Sequence, residues 1–141
     1  MRRLSSGAMA ILLAAMAVPG QAGKFAWVGS ANTGTVKLSH LSIAVANGIT
    51  HDCSESYPHR RFVFYVAGAD YFNPRDGTYV YTATVTLFRR DSKWADTAPI
   101  ESYSLTGYRR GAPALPVRQQ LLLGATRDST FEVCRRALAR R

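Results

Sequence analysis

The chain has 141 residues, the length of a single domain, and carries 18 Lys and Arg against 9 Asp and Glu for a formal net charge of +9 at pH 7. Apolar residues make up 47% of it, yet the run at Ala8–Val18 is only 11 residues long. That is too short for a membrane-spanning helix, which needs about 20 apolar residues.

The same run fits a secretory leader. Arg2 and Arg3 form a cationic head, Ala8–Val18 is the apolar segment, and Pro19-Gly20-Gln21-Ala22 closes it with small residues. Cleavage is expected after Ala22, so residues 1–22 are a cleavable signal peptide and 23–141 a single domain of about 119 residues. RRLSS lacks the hydrophobic continuation of a twin-arginine signal, which favours general secretion, and no Cys ends the apolar run to take a lipid anchor. The destination is periplasmic or extracellular. Loss of Arg2 and Arg3 lowers the net charge by two, to about +7.

In the exported part, Lys24–Ser30 reads as a first short strand with Phe25 and Trp27 on one face, ending at the turn Ala31–Gly34. Thr35–Ala46 alternates, with a phase slip at His40-Leu41 that a β-bulge would repair. His40 is then a bulge or edge residue. Asn47-Gly48 between two apolar runs is a two-residue hairpin signal. Thr50–Arg61, THDCSESYPHRR, is polar and reads as a loop. Phe62–Ala67, FVFYVA, is a continuous apolar run of the kind expected of a strand covered on both faces. A broad connection over Gly68–Gly77 follows.

Gly77–Arg90, GTYVYTATVTLFRR, is the strand around which the rest is organised. Tyr79, Tyr81, Ala83, Val85 and Leu87 form an apolar face, and Thr82, Thr84 and Thr86 form a threonine ladder on the other, flanked by Val80 and Phe88. This is a strand with one side toward a core and the other toward water, hydrogen-bonded in an antiparallel hairpin to Phe62–Ala67. Asp91–Pro99 is a loop containing Trp94, Ile100–Tyr108 a further strand, and Gly111–Pro116 a breaker. Val117–Leu123 is a strand or one to two helical turns. Ser129-Thr130-Phe131-Glu132 matches a capping box, predicting a helix start with Phe131, Cys134 and Leu138 on one face. A last strand with a basic tail is the competing reading.

These elements describe a mainly β domain: a small antiparallel β-sandwich, or a partly open barrel, with a short C-terminal helix. Short connections leave no room for helical crossovers before the C-terminus. Cys53 and Cys134 stand in no metal-finger spacing, and in an oxidising compartment two lone cysteines read as one disulfide closing 81 residues.

Catalytic signatures such as HExxH, GxSxG and the glycine-rich nucleotide loops do not occur, and the expectation is a non-enzyme that needs no cofactor. Two groups of residues are candidates for binding. Tyr57, Tyr71, Trp94 and Tyr108 lie in or near predicted loops, where exposed aromatics make contact surfaces for proteins or sugars. Arg60, Arg61, Arg109 and Arg110 belong to paired arginines that, with the C-terminal ones, give a cationic surface. The leading reading is a binding module for a protein partner in the envelope or extracellular space. The alternative is attachment to anionic surface polymers or lipid headgroups through the arginines; nucleic acid is disfavoured for an exported protein. A third reading is a small metal-dependent or hydrolytic enzyme using His51 and His59. Imidazole is a good zinc or copper ligand, but a disulfide removes the intervening Cys53 from that chemistry.

Overall fold

The computed structural model describes residues 16–20, 23–90 and 98–141. They form one five-stranded sheet in the order β1-β2-β3-β4-β5, comprising Met16–Gly20, Gly23–Asn32, Phe62–Asn73, Thr78–Arg89 and Glu101–Arg110. Three helices complete it: α1 (Leu38–Gly48), α2 (His51–Ser56) and α3 (Leu115–Ala139). Strand β1 lies within the stretch expected to be cleaved and pairs only with Gly23–Trp27 of β2.

The architecture is a mixed sheet with helices packed on one face, and the sheet does not close into a barrel. The β-rich expectation therefore holds in part, and no second sheet of a sandwich is seen among the described residues. The all-antiparallel expectation is corrected. β2 and β3 run parallel, joined by a crossover through α1 and α2, while β3-β4 and β4-β5 are antiparallel.

The crossover occupies the segment read as a strand and hairpin. Leu38, Leu41, Val45 and Gly48 recur every three or four residues, and Leu41 and Val45 are fully buried. The phase slip at His40-Leu41 is this helical period, not a bulge. His40 sits in the first turn of α1, where its Nδ1 accepts the Lys37 N–H at 3.3 Å. Asn47-Gly48 ends that helix. Gly48 does not have positive φ; instead it lies so close to α3 that a Cβ would stand 2.4 Å from the Arg127 carbonyl oxygen. Most of Thr50–Arg61 is also ordered: Thr50 caps α2 by accepting the Cys53 N–H at 3.3 Å.

Helix α3 runs 25 residues without a break. Ser129 and Thr130, predicted to start a helix, are buried in its middle, and Phe131, expected to share a face with Cys134 and Leu138, is 47% exposed while Cys134 is fully buried. The buried stripe is Leu122, Ala125, Ser129, Val133 and Ala137, with Thr126, Thr130 and Cys134 beside it. It lies over the core face of the sheet, where Phe25 and Trp27 of β2, Phe64 and Val66 of β3, and Val85 and Leu87 of β4 meet Leu41 and Val45 of α1. The two faces of β4 are as the sequence predicts.

The Cys53–Cys134 disulfide is present, with Cα atoms 5.5 Å apart, and joins α2 to α3. Replacing both cysteines with alanine should lower stability by about 4 kcal/mol, because the closed loop is long; urea unfolding measures it. Gly48→Ala gives a second test with a definite sign. Helix propensity alone favours Ala by roughly 1 kcal/mol. The clash with the α3 backbone opposes it and should win, leaving the variant about 1–3 kcal/mol less stable.

Candidate functional site

The face of the sheet away from the helices carries the candidate site, at the end where β3 turns into β4. Register places Tyr71 of β3, Val80 of β4 and Tyr108 of β5 in one cross-strand row, followed by Asn73, Thr78 and Arg110 in the next. Tyr71 is 60% exposed and Tyr108 72%. With Asp76 of the turn and Arg109, these residues surround an open basin of about 430 Å³. Two backbone features hold its rim. Gly77 (φ 66°) and Gly111 (φ 87°) adopt left-handed conformations suited to glycine, and the Gly111 N–H donates to the Gly77 carbonyl at 2.7 Å. Asp76 Oδ1 accepts the Thr78 N–H at 3.0 Å, closing the turn.

From the basin a hydroxyl ladder runs along β4 and β5. Thr82 pairs with Thr106 (3.0 Å), Thr84 with Ser104 (2.7 Å) and Thr86 with Ser102 (2.8 Å). Each hydroxyl has one donor and two acceptor sites, so a rung uses only part of its capacity. Along the outer two rungs, the rest faces solvent. The face therefore offers two large aromatic rings, a guanidinium pair and a row of small polar groups. That combination suits a contact surface.

The predicted binding residues thus separate. Tyr71, Tyr108, Arg109 and Arg110 converge on the basin. Tyr57 does not belong with them: it is buried, its hydroxyl donates to the Ala137 carbonyl at 2.8 Å, and it serves to pack α2 against α3. Arg60 and Arg61 lie at the opposite end of the sheet. Trp94 falls outside the described residues.

The C-terminal arginines are engaged within the fold. Arg135 and Arg136 pair with Glu132 at 2.9 and 3.3 Å, and Arg136 also stands 4.7 Å over the Tyr103 ring. Arg140 reaches the buried carboxylate of Glu101 at 3.0 Å, and Arg141 donates to the Ser56 carbonyl at 2.7 Å while covering Tyr57. They fasten the end of α3 to β5 and α2.

The third reading loses its thiol, since Cys53 is in the disulfide. His51 Nε2 pairs with Glu55 at 3.1 Å on an exposed helix face. No cluster of three or more His, Cys, Asp or Glu suited to a metal occurs among the described residues.

Sequence reading also missed a polar cluster just behind the basin. Asp70 of β3 accepts hydrogen bonds from the hydroxyls of Thr33, Thr35 (2.5 Å) and Tyr79 (2.5 Å). Burial pushes its pKa up, but the three hydrogen bonds and the charge of Arg118 outweigh this and hold it below the ordinary 3.8. Tyr79 moves the other way, raised by burial and by the anion it donates to. Through these three hydrogen bonds Asp70 fixes the loop after β2 to the end of the sheet. Gln119 of α3 adds to this by donating to the Thr35 carbonyl at 3.0 Å.

No protein-family model matches the chain, and no curated protein is similar to it in sequence.

A carboxylate whose pKa is depressed by folding contributes stability above its unfolded value and loses it as pH falls through the folded one. Stability should therefore drop as pH is lowered below about 4. Asp70→Asn should cost about 2–3 kcal/mol at pH 7 and flatten that acid limb. Urea titrations from pH 7 to pH 2.5 give both numbers.

Proposed function

We propose that the chain is an exported, non-enzymatic module that binds a protein partner in the cell envelope or extracellular space through the tyrosine–arginine basin and the adjoining hydroxyl ladder. The observation that carries this reading is the cross-strand row Tyr71–Val80–Tyr108. It exposes two large aromatic side chains beside Arg109 and Arg110 on regular strands. Tyr and Arg are enriched among the side chains that dominate binding energy: Tyr buries much area for little lost freedom, and Arg presents a planar fork of donors. Strands hold them more firmly than loops.

Export is supported by the leader-like pattern of residues 1–22 and by a disulfide between cysteines 81 residues apart. No helix among the described residues is long and apolar enough to cross a membrane.

The double variant Tyr71→Ala/Tyr108→Ala tests the reading. Both side chains are exposed, so its thermal unfolding should stay within a few degrees of the parent. Its capture of the partner from envelope extract should fall by at least tenfold, about 1.4 kcal/mol. Equal recovery by both proteins, or recovery of background proteins alone, would count against the basin as the binding surface.

A further inference from the structure

The end of the sheet opposite the basin gathers a second group of arginines. Phe62 of β3 is paired in register with Arg89 of β4, and the Arg90 N–H donates to the Arg61 carbonyl at 2.7 Å. This brings the pair Arg60-Arg61 beside the pair Arg89-Arg90, although Arg89 lies 27 positions after Phe62 in the chain. The four arginines and Phe62 enclose a hollow of about 170 Å³.

Three observations give the hollow a chemical preference. All four arginines are exposed, and none has a carboxylate partner among the described residues; Asp91, the next residue along, lies outside them. The quartet contrasts with Arg135, Arg136 and Arg140, which are paired with carboxylates. Second, the backbone positions are set by a strand register and a turn, since the Arg61 N–H donates to Pro58 and Arg90 Nη1 donates to the His59 carbonyl at 3.1 Å. Third, the hollow is well under half the volume of the basin, sized for a compact anion more than for a side-chain cluster.

We propose that this quartet is a binding site for a phosphate group carried as a monoester. Guanidinium groups present paired donors that match the oxygens of a phosphate bidentately. A dianion also relieves the mutual repulsion of four cations held at one strand end. The ligand chemistry is shared by an anionic lipid headgroup and by a soluble phosphate compound. This site is separate from the basin, so either assignment can fail without the other.

The test uses the mature protein at about 0.15 M ionic strength, where exposed charges are screened beyond roughly 8 Å. The probes are inorganic phosphate, phosphatidylcholine vesicles, and the same vesicles containing phosphatidic acid. Arg60→Gln/Arg89→Gln removes two charges from the quartet and leaves the Arg90 hydrogen bonds in place. Arg109→Gln/Arg110→Gln removes the same charge from the basin and serves as control. The expected result is binding to phosphate or to the phosphatidic acid vesicles that weakens at least tenfold in the first variant and less than twofold in the second. Binding much tighter on vesicles than to inorganic phosphate assigns the headgroup as source; equal binding assigns a soluble phosphate. Equal losses in the two variants would reduce the effect to net charge and overturn the site, as would binding to neither probe.

Discussion

The tie between Cys53 and Cys134 is the constraint on which the arrangement of layers depends. A parallel β2-β3 pair requires its connection to leave the sheet and return, and the returning piece, α2, is only six residues long. A helix that short has little stability of its own in water. Its place is set by the disulfide to α3 and by Tyr57, whose hydroxyl meets the Ala137 carbonyl one turn beyond Cys134. Helix α3 in turn lies along the core face and touches α1 at Gly48. One covalent link thus fastens the crossover to the element that covers the sheet, and Phe62, which begins β3, packs edge-on against Tyr57 at 5.0 Å.

Polar groups do comparable work at the other end. The Asp70 carboxylate gathers three hydroxyls from two segments, and it sits one residue before Tyr71. Because neighbouring residues of a strand point to opposite faces, ordering Asp70 on the core side orders Tyr71 on the open side. Across β5, Gly107 lies under the Tyr81 ring, so close that a Cβ there would meet it at 2.1 Å. That contact flattens the core side beneath Tyr108, the next residue. The open face thus gains its rigidity from packing on the face behind it.

What could be read from the chain followed the strength of the local signal. β4 and β5, the pairing of β3 with β4 and the cystine were legible because alternation, turn glycines and a lone pair of cysteines each point to one arrangement, but Gly68–Asn73, read as part of a broad connection, continues β3. The crossover was not. Thr35–Ala46 holds apolar residues at spacings that fit two and three-to-four residue periods alike, and Asn47-Gly48 imitates a hairpin whereas the glycine is needed for close helix contact. α3 was hidden for a different reason. Its buried side includes Thr126, Ser129 and Thr130, whose hydroxyls are satisfied by the carbonyls of Leu122, Ala83 and Thr126. Such residues look like caps or turns in sequence. The convergence of Tyr71 with Tyr108, and of Arg60-Arg61 with Arg89-Arg90, depends on strand register, which residue order alone does not state.

The two surface features lie at the two ends of the same strand. Thr78 lines the basin and Arg89 lines the arginine hollow, and the twelve residues of β4 run from one to the other. At about 3.3 Å per residue this sets them roughly 35 Å apart, with α3 alongside as a stiffening rod. If both proposed surfaces are used, a partner at one pole would be kept at a fixed stand-off from a ligand at the other.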